Sequence, residues 1–227
     1  MRLSIIIPVL NEEAALAATL AVARAGLGED DEIVVADGGS NDRTIEIGRA
    51  CGARIVECEA GRGRQMNAGC AQARGDLLLF LHADTLLPAD YRRELEDLLR
   101  DPGVRWGRFD VDFDEGGPLL RLIAWLISRR STLMRSATGD QAIFVRRDDF
   151  DAVGGYREAL LFEDVDLARR LRACGRIGIP RSHAVTSARR WRNRGVWATT
   201  FRMWSLKSLY LLGVPAERLA RHYRDER

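Results

Sequence analysis

An apolar run ends in Phe80-Leu81-His82-Ala83-Asp84-Thr85. A carboxylate at a strand terminus can hold a hard divalent cation that bridges the two phosphates of a nucleotide diphosphate. Such cations prefer oxygen ligands and share them with substrate phosphates, so Asp84 alone can suffice. The plainer alternative is a strand-end turn in which Asp84 caps a helix. A second group is Asp37-Gly38-Gly39-Ser40-Asn41-Asp42-Arg43-Thr44. Here an acid could accept from a base N–H or a ribose hydroxyl, and the glycines let backbone approach a ligand; ordinary turn chemistry explains the same residues. A third, Gly61-Arg62-Gly63-Arg64-Gln65-Met66-Asn67, puts two arginines on a glycine-rich loop that enters a helix, suited to phosphate, although no Gly-Lys-Ser/Thr follows. In the fourth, Phe162-Glu163-Asp164-Val165-Asp166, three carboxylates crowd a helix start. Their repulsion and partial burial would raise one of them toward the range of a general base, unless they only favour the helix dipole. The fifth, Ser187-Ala188-Arg189-Arg190-Trp191, could clamp a diphosphate or stack on a ring, or be a basic turn with Trp191 in the core.

The elements between these groups alternate. Strands are expected at Leu3–Val9, Ile33–Ala36, Ala53–Val56 and Leu77–Leu81, with helices at Glu12–Ala25, from the Asp37 turn to Cys51, and at Arg64–Ala73. Alternation of this kind implies a mostly parallel sheet with crossover helices, and ligands then bind outside the carboxyl ends of the strands. Those ends hold Pro8–Glu13, Asp37–Asp42 and His82–Asp84. Further on, helices are expected at Ala89–Arg100, Leu119–Met134, Glu163–Cys174 and Val196–Arg224, the last broken at Gly213-Val214-Pro215. Strands are expected at Val104–Phe113, Ala142–Val145 and Arg176–Ile179. The expected fold class is α/β, Rossmann-like, with C-terminal helices. It forms one domain, with a nucleotide-binding half at 1–85, an acceptor and catalytic half at 86–195, and basic helices at 196–227.

The 227 residues carry a net charge of +2, which hides an asymmetry. Residues 1–180 hold 24 basic and 30 acidic side chains, and residues 181–227 hold 11 and 3. The acidic first part argues against a nucleic-acid partner; the basic end suits a phosphate-bearing ligand or an anionic membrane surface. Cys51, Cys58, Cys70 and Cys174 have no metal-ligand spacing and read as small buried groups in a reducing compartment. With no secretory signal and no apolar run long enough to span a bilayer, a cytoplasmic protein is expected, at the inner face of the membrane if a lipid is involved.

In this order the motifs resemble those of the family 2 glycosyltransferases of the GT-A fold, from Ser4 to about Trp191. Ser4 to Glu13 looks like the opening strand, Asp37-Gly38-Gly39-Ser40 with Asp42 and Thr44 like the nucleotide turn, and His82-Ala83-Asp84 stands where the family has Asp-x-Asp. Gly139-Asp140-Gln141 and Gly154-Gly155-Tyr156 look like the acceptor side, Glu163-Asp164 like the catalytic pair, and Arg189-Arg190-Trp191 like the close of a Gln-x-x-Arg-Trp motif. The closest likeness is to a small bacterial "transferase 2" subgroup. His82 departs from the first Asp of the metal motif, and Ser187 stands where the longer motif has Gln. The resemblance implies inverting transfer from a nucleotide-diphosphate sugar. Donor contacts would come from Pro8, Asn11, Glu12, Asp37, Gly39, Arg64, Asn67 and His82, and Mg²⁺ or Mn²⁺ would sit on Asp84 with His183. Asp164 would be the base beside Glu163, Arg190 would stabilise the leaving charge, and Gly139, Asp140, Gln141 and Trp191 would meet the acceptor. The acceptor is a hydroxyl or a lipid phosphate. The apolar Leu119–Met134 helix suits a membrane surface; packing in the core or in a homodimer is the blander reading. A nucleotidyltransferase and a non-catalytic nucleotide-sugar binder are the alternatives. The first is disfavoured by Asn11-Glu12-Glu13 in place of a glycine-rich loop after the first strand, the second by the presence of both Asp84 and Asp164.

Overall fold

The computed structural model describes residues 1–115, 117–157, 161–211, 213–216 and 218–219, without the side chains at 190, 193, 194, 198, 203, 207 and 211. The first half follows the alternation of the sequence. It comprises β1 (Leu3–Val9), α1 (Leu16–Ala25), β2 (Glu32–Asp37), α2 (Thr44–Ala50), β3 (Arg54–Glu57), α3 (Arg62–Gln72) and β4 (Leu77–Phe80). Next come β5 (Thr85–Leu86), α4 (Tyr91–Leu99), β6 (Val104–Gly107), β7 (Asp110–Phe113), α5 (Pro118–Leu133), β8 (Ile143–Arg146) and α6 (Arg147–Ala152). The remainder is α7 (Glu163–Leu171), β9 (Arg176–Gly178), β10 (His183–Thr186), α8 (Arg189–Arg194) and α9 (Val196–Leu211). The expected helix beyond Leu211 lies largely outside the described residues.

The main sheet has seven strands in the order β3-β2-β1-β4-β8-β6-β9. Its first four are mutually parallel, and β8 is the antiparallel insert between β4 and β6. β1 is buried along its whole length, as expected of a strand covered by helices on both faces. One apolar cluster under α1 and α4 holds Ile5, Ile7, Leu16, Val35, Leu79 and Tyr91; a second under α3 and α7 holds Ile6, Met66, Phe80, Trp106, Tyr156 and Leu167.

The single strand expected over Val104–Phe113 is two strands in two sheets. Val104 and Trp106 are buried in one phase of the alternation, and Phe109, Val111 and Phe113 in the other. That slip turns the chain out of the main sheet, because a one-residue shift exchanges the faces of a strand. β7 joins a small sheet of order β5-β10-β7. Arg108 sits at the corner, fully buried. It donates to the Phe109 and Ser128 carbonyls at 3.0 Å and to Thr132 Oγ1 at 2.7 Å, and pairs with Asp110. A buried cation persists only when its donors are matched in this way. The helix expected from Glu12 begins only at Leu16. The backbone N–H groups of Glu12 and Glu13 donate instead to Thr44 Oγ1 and the Asp42 carboxylate, at 2.8 and 3.2 Å, and hold this stretch against the loop after β2. Of the four cysteines only Cys70 is buried; the other three are half-exposed free thiols.

Candidate active site

Because β1, β2 and β4 lie side by side and parallel, their carboxyl ends share one rim. Gln65 ties it together from α3. Its amide nitrogen donates to the Val9 carbonyl at 2.7 Å and to the Ala36 carbonyl at 2.9 Å, and its amide oxygen accepts from Gly61 N–H at 3.2 Å. Sequence reading passed over Gln65, because a glutamine one helical turn after a glycine carries no signal of its own. Gln65→Leu is expected to remove two buried hydrogen bonds and one partly buried one, and to cost about 1–3 kcal/mol in chemical denaturation. Asn11, in the left-handed region at φ 54°, links the loops. Its N–H donates to Ser40 Oγ at 2.9 Å, and its side-chain oxygen accepts from Asn41 N–H at 2.8 Å. Asp37 accepts from Gly39 and Ser40 N–H at 2.9 and 3.0 Å, and from the Ser40 hydroxyl. Gly39 has φ 94°, which favours glycine, and its open side has room for a ligand. Pro8 is buried within β1 opposite Ala36.

Asp84 stands half-buried after β4. The Ser187 N–H donates to its carbonyl at 3.1 Å, which brings the basic Ser187–Trp191 segment to the rim. Arg189 pairs with Glu12 at 3.8 Å. Burial first, and then the neighbouring Asp84 charge, raise the Glu12 carboxyl above its usual range, while Arg189 and Arg62 oppose this. Two carboxylates, Glu12 and Asp84, and two guanidiniums, Arg62 and Arg189, thus interact at the rim.

Across the rim, α7 begins at Phe162, itself left-handed at φ 65°. Glu163, Asp164 and Asp166 are all buried. Asp166 is matched by Arg169 and Arg170 at 2.9 Å and serves the fold. Asp164 differs, since its Oδ1 is buried with no hydrogen-bond partner. Burial first, then Glu163 beside it, push the Asp164 carboxyl up to about 8 against the pull of Arg62. The phenol of Tyr156, fully enclosed, is held protonated by burial and by the adjacent Asp164 charge. Gly139 explains how these groups meet. A Cβ there would stand 2.2 Å from His82 Nε2 and 2.7 Å from an Asp164 carboxylate oxygen, so the two side chains close over a glycine that has none.

Several residues are placed otherwise than the sequence suggested. His183 opens β10 and is exposed; Asp84 is next to Ser187, four residues further on, so roughly 13 Å of extended chain separates them. His183 thus stands away from Asp84 along β10, and among the described residues no three His, Cys, Asp or Glu converge on one cation position. Arg64 points outward to Glu59 at 2.7 Å, and Arg62 is the arginine whose charge reaches Glu12 and Asp164. Asn67 donates to and accepts from the Tyr156 backbone at 2.7 and 2.9 Å, a clamp between α3 and the Gly154-Gly155 turn rather than a donor contact. Gln141, fully buried, closes a capping box with Thr138. The Gly139 and Asp140 positions of that same turn do face Asp164, through the close packing of Gly139 and the charge of Asp140. Trp191 packs against Phe113 with ring centroids 4.7 Å apart, in the cluster under α5. The side chain of Arg190 lies outside the described residues.

The architecture is that of the GT-A class, a mostly parallel α/β sheet whose strand ends meet a carboxylate-bearing second half. It is similar to TarS of S. aureus (residues 1–349), with TM-score 0.65 and 18% identity over 83% of this chain and 61% of that one. It is also similar to the mannosyltransferase PcManGT of Pyrobaculum calidifontis in complex with GDP-Man and Mn²⁺, with TM-score 0.61 and 20% identity over 82% and 56%. The chain belongs to glycosyl transferase family 2, whose model matches residues 4–157. A PGL/p-HBAD biosynthesis glycosyltransferase of Mycobacterium bovis is 35% identical over 178 residues, 67% of this chain and 62% of that protein. An undecaprenyl-phosphate 4-deoxy-4-formamido-L-arabinose transferase of Pseudomonas aeruginosa is 39% identical over 98 residues, 38% of this chain and 29% of that one. The chain thus spans less than two thirds of the length of the curated relatives it matches.

Proposed function

We propose that this glycosyltransferase moves a sugar, with inversion, from a nucleotide-diphosphate donor to an acceptor hydroxyl, with a divalent metal. The observation that carries the reading is the meeting at one rim of Asp84, Glu12 and Arg62 with the buried Asp164, whose Oδ1 has no hydrogen-bond partner. The donor's nucleoside lies along the Asp37 turn and the open side of Gly39, and its diphosphate near Asp84, Arg62 and Arg189. The oxygen-only donor set suits Mg²⁺ or Mn²⁺, with Asp84, and Glu12 close by, holding an ion whose remaining ligands come from phosphate. Bound there, the ion supplies neutralisation of the leaving diphosphate charge. PcManGT, with the same fold, was crystallised with GDP-Man and Mn²⁺, which supports the same class of donor and metal here.

The remaining chemistry belongs to the chain. Asp164 accepts the proton of the attacking hydroxyl on Oδ1, and its raised proton affinity brings it close to working pH. The Gly139 backbone holds it by a hydrogen bond, and Glu163 keeps its affinity high. A hydroxyl acceptor is favoured over a phosphate because an already ionised phosphate requires no base, and this carboxyl is kept buried at a cost.

The test is a thermal-shift panel of nucleotide diphosphates with and without Mn²⁺. A ligand that binds only the folded state raises the melting temperature. At least one nucleotide diphosphate is expected to stabilise the protein only with Mn²⁺, and Asp84→Asn is expected to remove that dependence. Equal shifts with and without the metal in the wild-type chain would rule out the metal role.

A further inference from the structure

Two helices outside the rim leave apolar side chains in solvent. On α9, Thr199 and Leu206 are buried, 6% and 7% exposed, while Trp197, Phe201 and Trp204 are 72%, 77% and 43% exposed. At about 100° per residue the three aromatics form one stripe, opposite Thr199 and Leu206. α5 repeats the arrangement. It buries Leu120, Ile123, Ala124 and Ile127 against β7 and exposes Leu122, Trp125 and Leu133, the last at 87%. The helices are neighbours at both ends. Val196 packs on the cluster that α5 buries, and Met134, just past α5, lines one hollow with Gly213–Pro215 beyond α9. Scattered apolar residues on a surface need no explanation, but an aligned aromatic stripe on α9 together with Leu122, Trp125 and Leu133 exposed on α5 does.

Charge decides what covers them. α5, α8 and α9 together hold nine basic residues, Arg121, Arg129, Arg130, Arg189, Arg190, Arg192, Arg194, Arg202 and Lys207, and no acidic one. Arg129 lies over Trp125 at 5.4 Å, so charge and ring share one spot. Among the described side chains Arg189 and Arg192 pair with acids of other segments, Glu12 and Glu115, and Arg130 lies near Asp140. A second copy of the chain would set two such basic faces against each other. A bilayer with anionic headgroups meets both demands, because tryptophan rings settle at the headgroup level and nearby Lys and Arg are drawn to its negative surface. No described helix is long and apolar enough to cross a membrane, so the contact is one of lying on the surface. We propose that the α5–α9 face, with Trp125, Trp197, Phe201 and Trp204 as anchors, docks the protein on an anionic lipid surface. This holds whichever acceptor the rim serves.

The test is flotation of the full chain with phosphatidylglycerol–phosphatidylcholine vesicles and with phosphatidylcholine alone. Binding is expected only to the anionic vesicles, and its loss is expected near 1 M salt, where the screening length falls to about 3 Å. The triple variant Trp197→Ala, Phe201→Ala, Trp204→Ala should bind about tenfold more weakly while keeping the wild-type circular dichroism and melting temperature. Trp125→Ser, on the other helix, should weaken binding in the same direction. Equal binding to both vesicle types, or unchanged binding by both variants, overturns the proposal. So does a dimer in light scattering that the triple variant converts to monomer.

Discussion

Asp164→Asn is expected to lower turnover by roughly 10²–10⁴-fold and to leave the Mn²⁺-dependent thermal shift by nucleotide diphosphate in place. The expectation comes from the unsatisfied oxygen of this carboxyl. Its Oδ1 is buried without a partner, whereas another acid of the same helix, Asp166, is held by two arginines. Wild-type activity should rise with pH toward about 8, because burial and Glu163 hold the proton on Asp164 until then. Stability should move the opposite way. The unfolded chain releases this proton near pH 4 and the folded protein only near 8, so the native state binds more protons between those values and loses stability as pH rises through them. Asn carries no such burden, so the variant should melt higher than wild type at neutral pH and equally at pH values below the ordinary carboxylate range. A variant that is inactive, melts no higher and no longer binds nucleotide would assign Asp164 to the donor instead.

Gly139→Ala should lower kcat by on the order of 10²-fold, the scale set by an ångström of misplacement at a reacting group. The added methyl would stand 2.2 Å from His82 Nε2, so the imidazole, Asp164 or the Gly139–Gln141 turn must give way. Gly117→Ala is the matched control. That position has φ −67° and open space around its Cβ direction, and its activity should equal wild type. Steady-state kinetics on the pair, with melting curves to check folding, separates a loss specific to the site from a general effect of adding methyl groups to glycines.

The first half was legible because its signals are local. β1, β2 and β4 each read as short apolar runs, and alternation with helices fixes their parallel order and hence the shared rim of Asp37 and Asp84. Glu163-Asp164 was legible as a cluster, but its deep burial was not, because a run of acids by itself favours solvent. The errors share another cause. His183, Arg64 and Asn67 were chosen by type and neighbourhood in the chain, whereas their directions depend on contacts made far away, such as Asn67 with Tyr156 across 89 residues. Gln65 and Gly139 carry their roles through what they touch, or through the side chain that is missing, and neither leaves a pattern in the sequence. The break at Arg108 was readable in principle as the phase slip between Trp106 and Phe109, hidden by the continuous apolar character around it.

The small sheet has a temporal consequence. Its central strand, β10, pairs Thr186 with Thr85 and His183 with Asp110, so Asp84 gains the Ser187 contact only after about 100 further residues have been added. Pairings this distant form slowly, since the loop must close before the contact rewards it. On the ribosome the strands that form the rim, β1 to β4, emerge well before β10, and Arg189, which bridges back to Glu12, arrives after them. The rim's acids thus leave the ribosome long before the arginine that pairs with one of them.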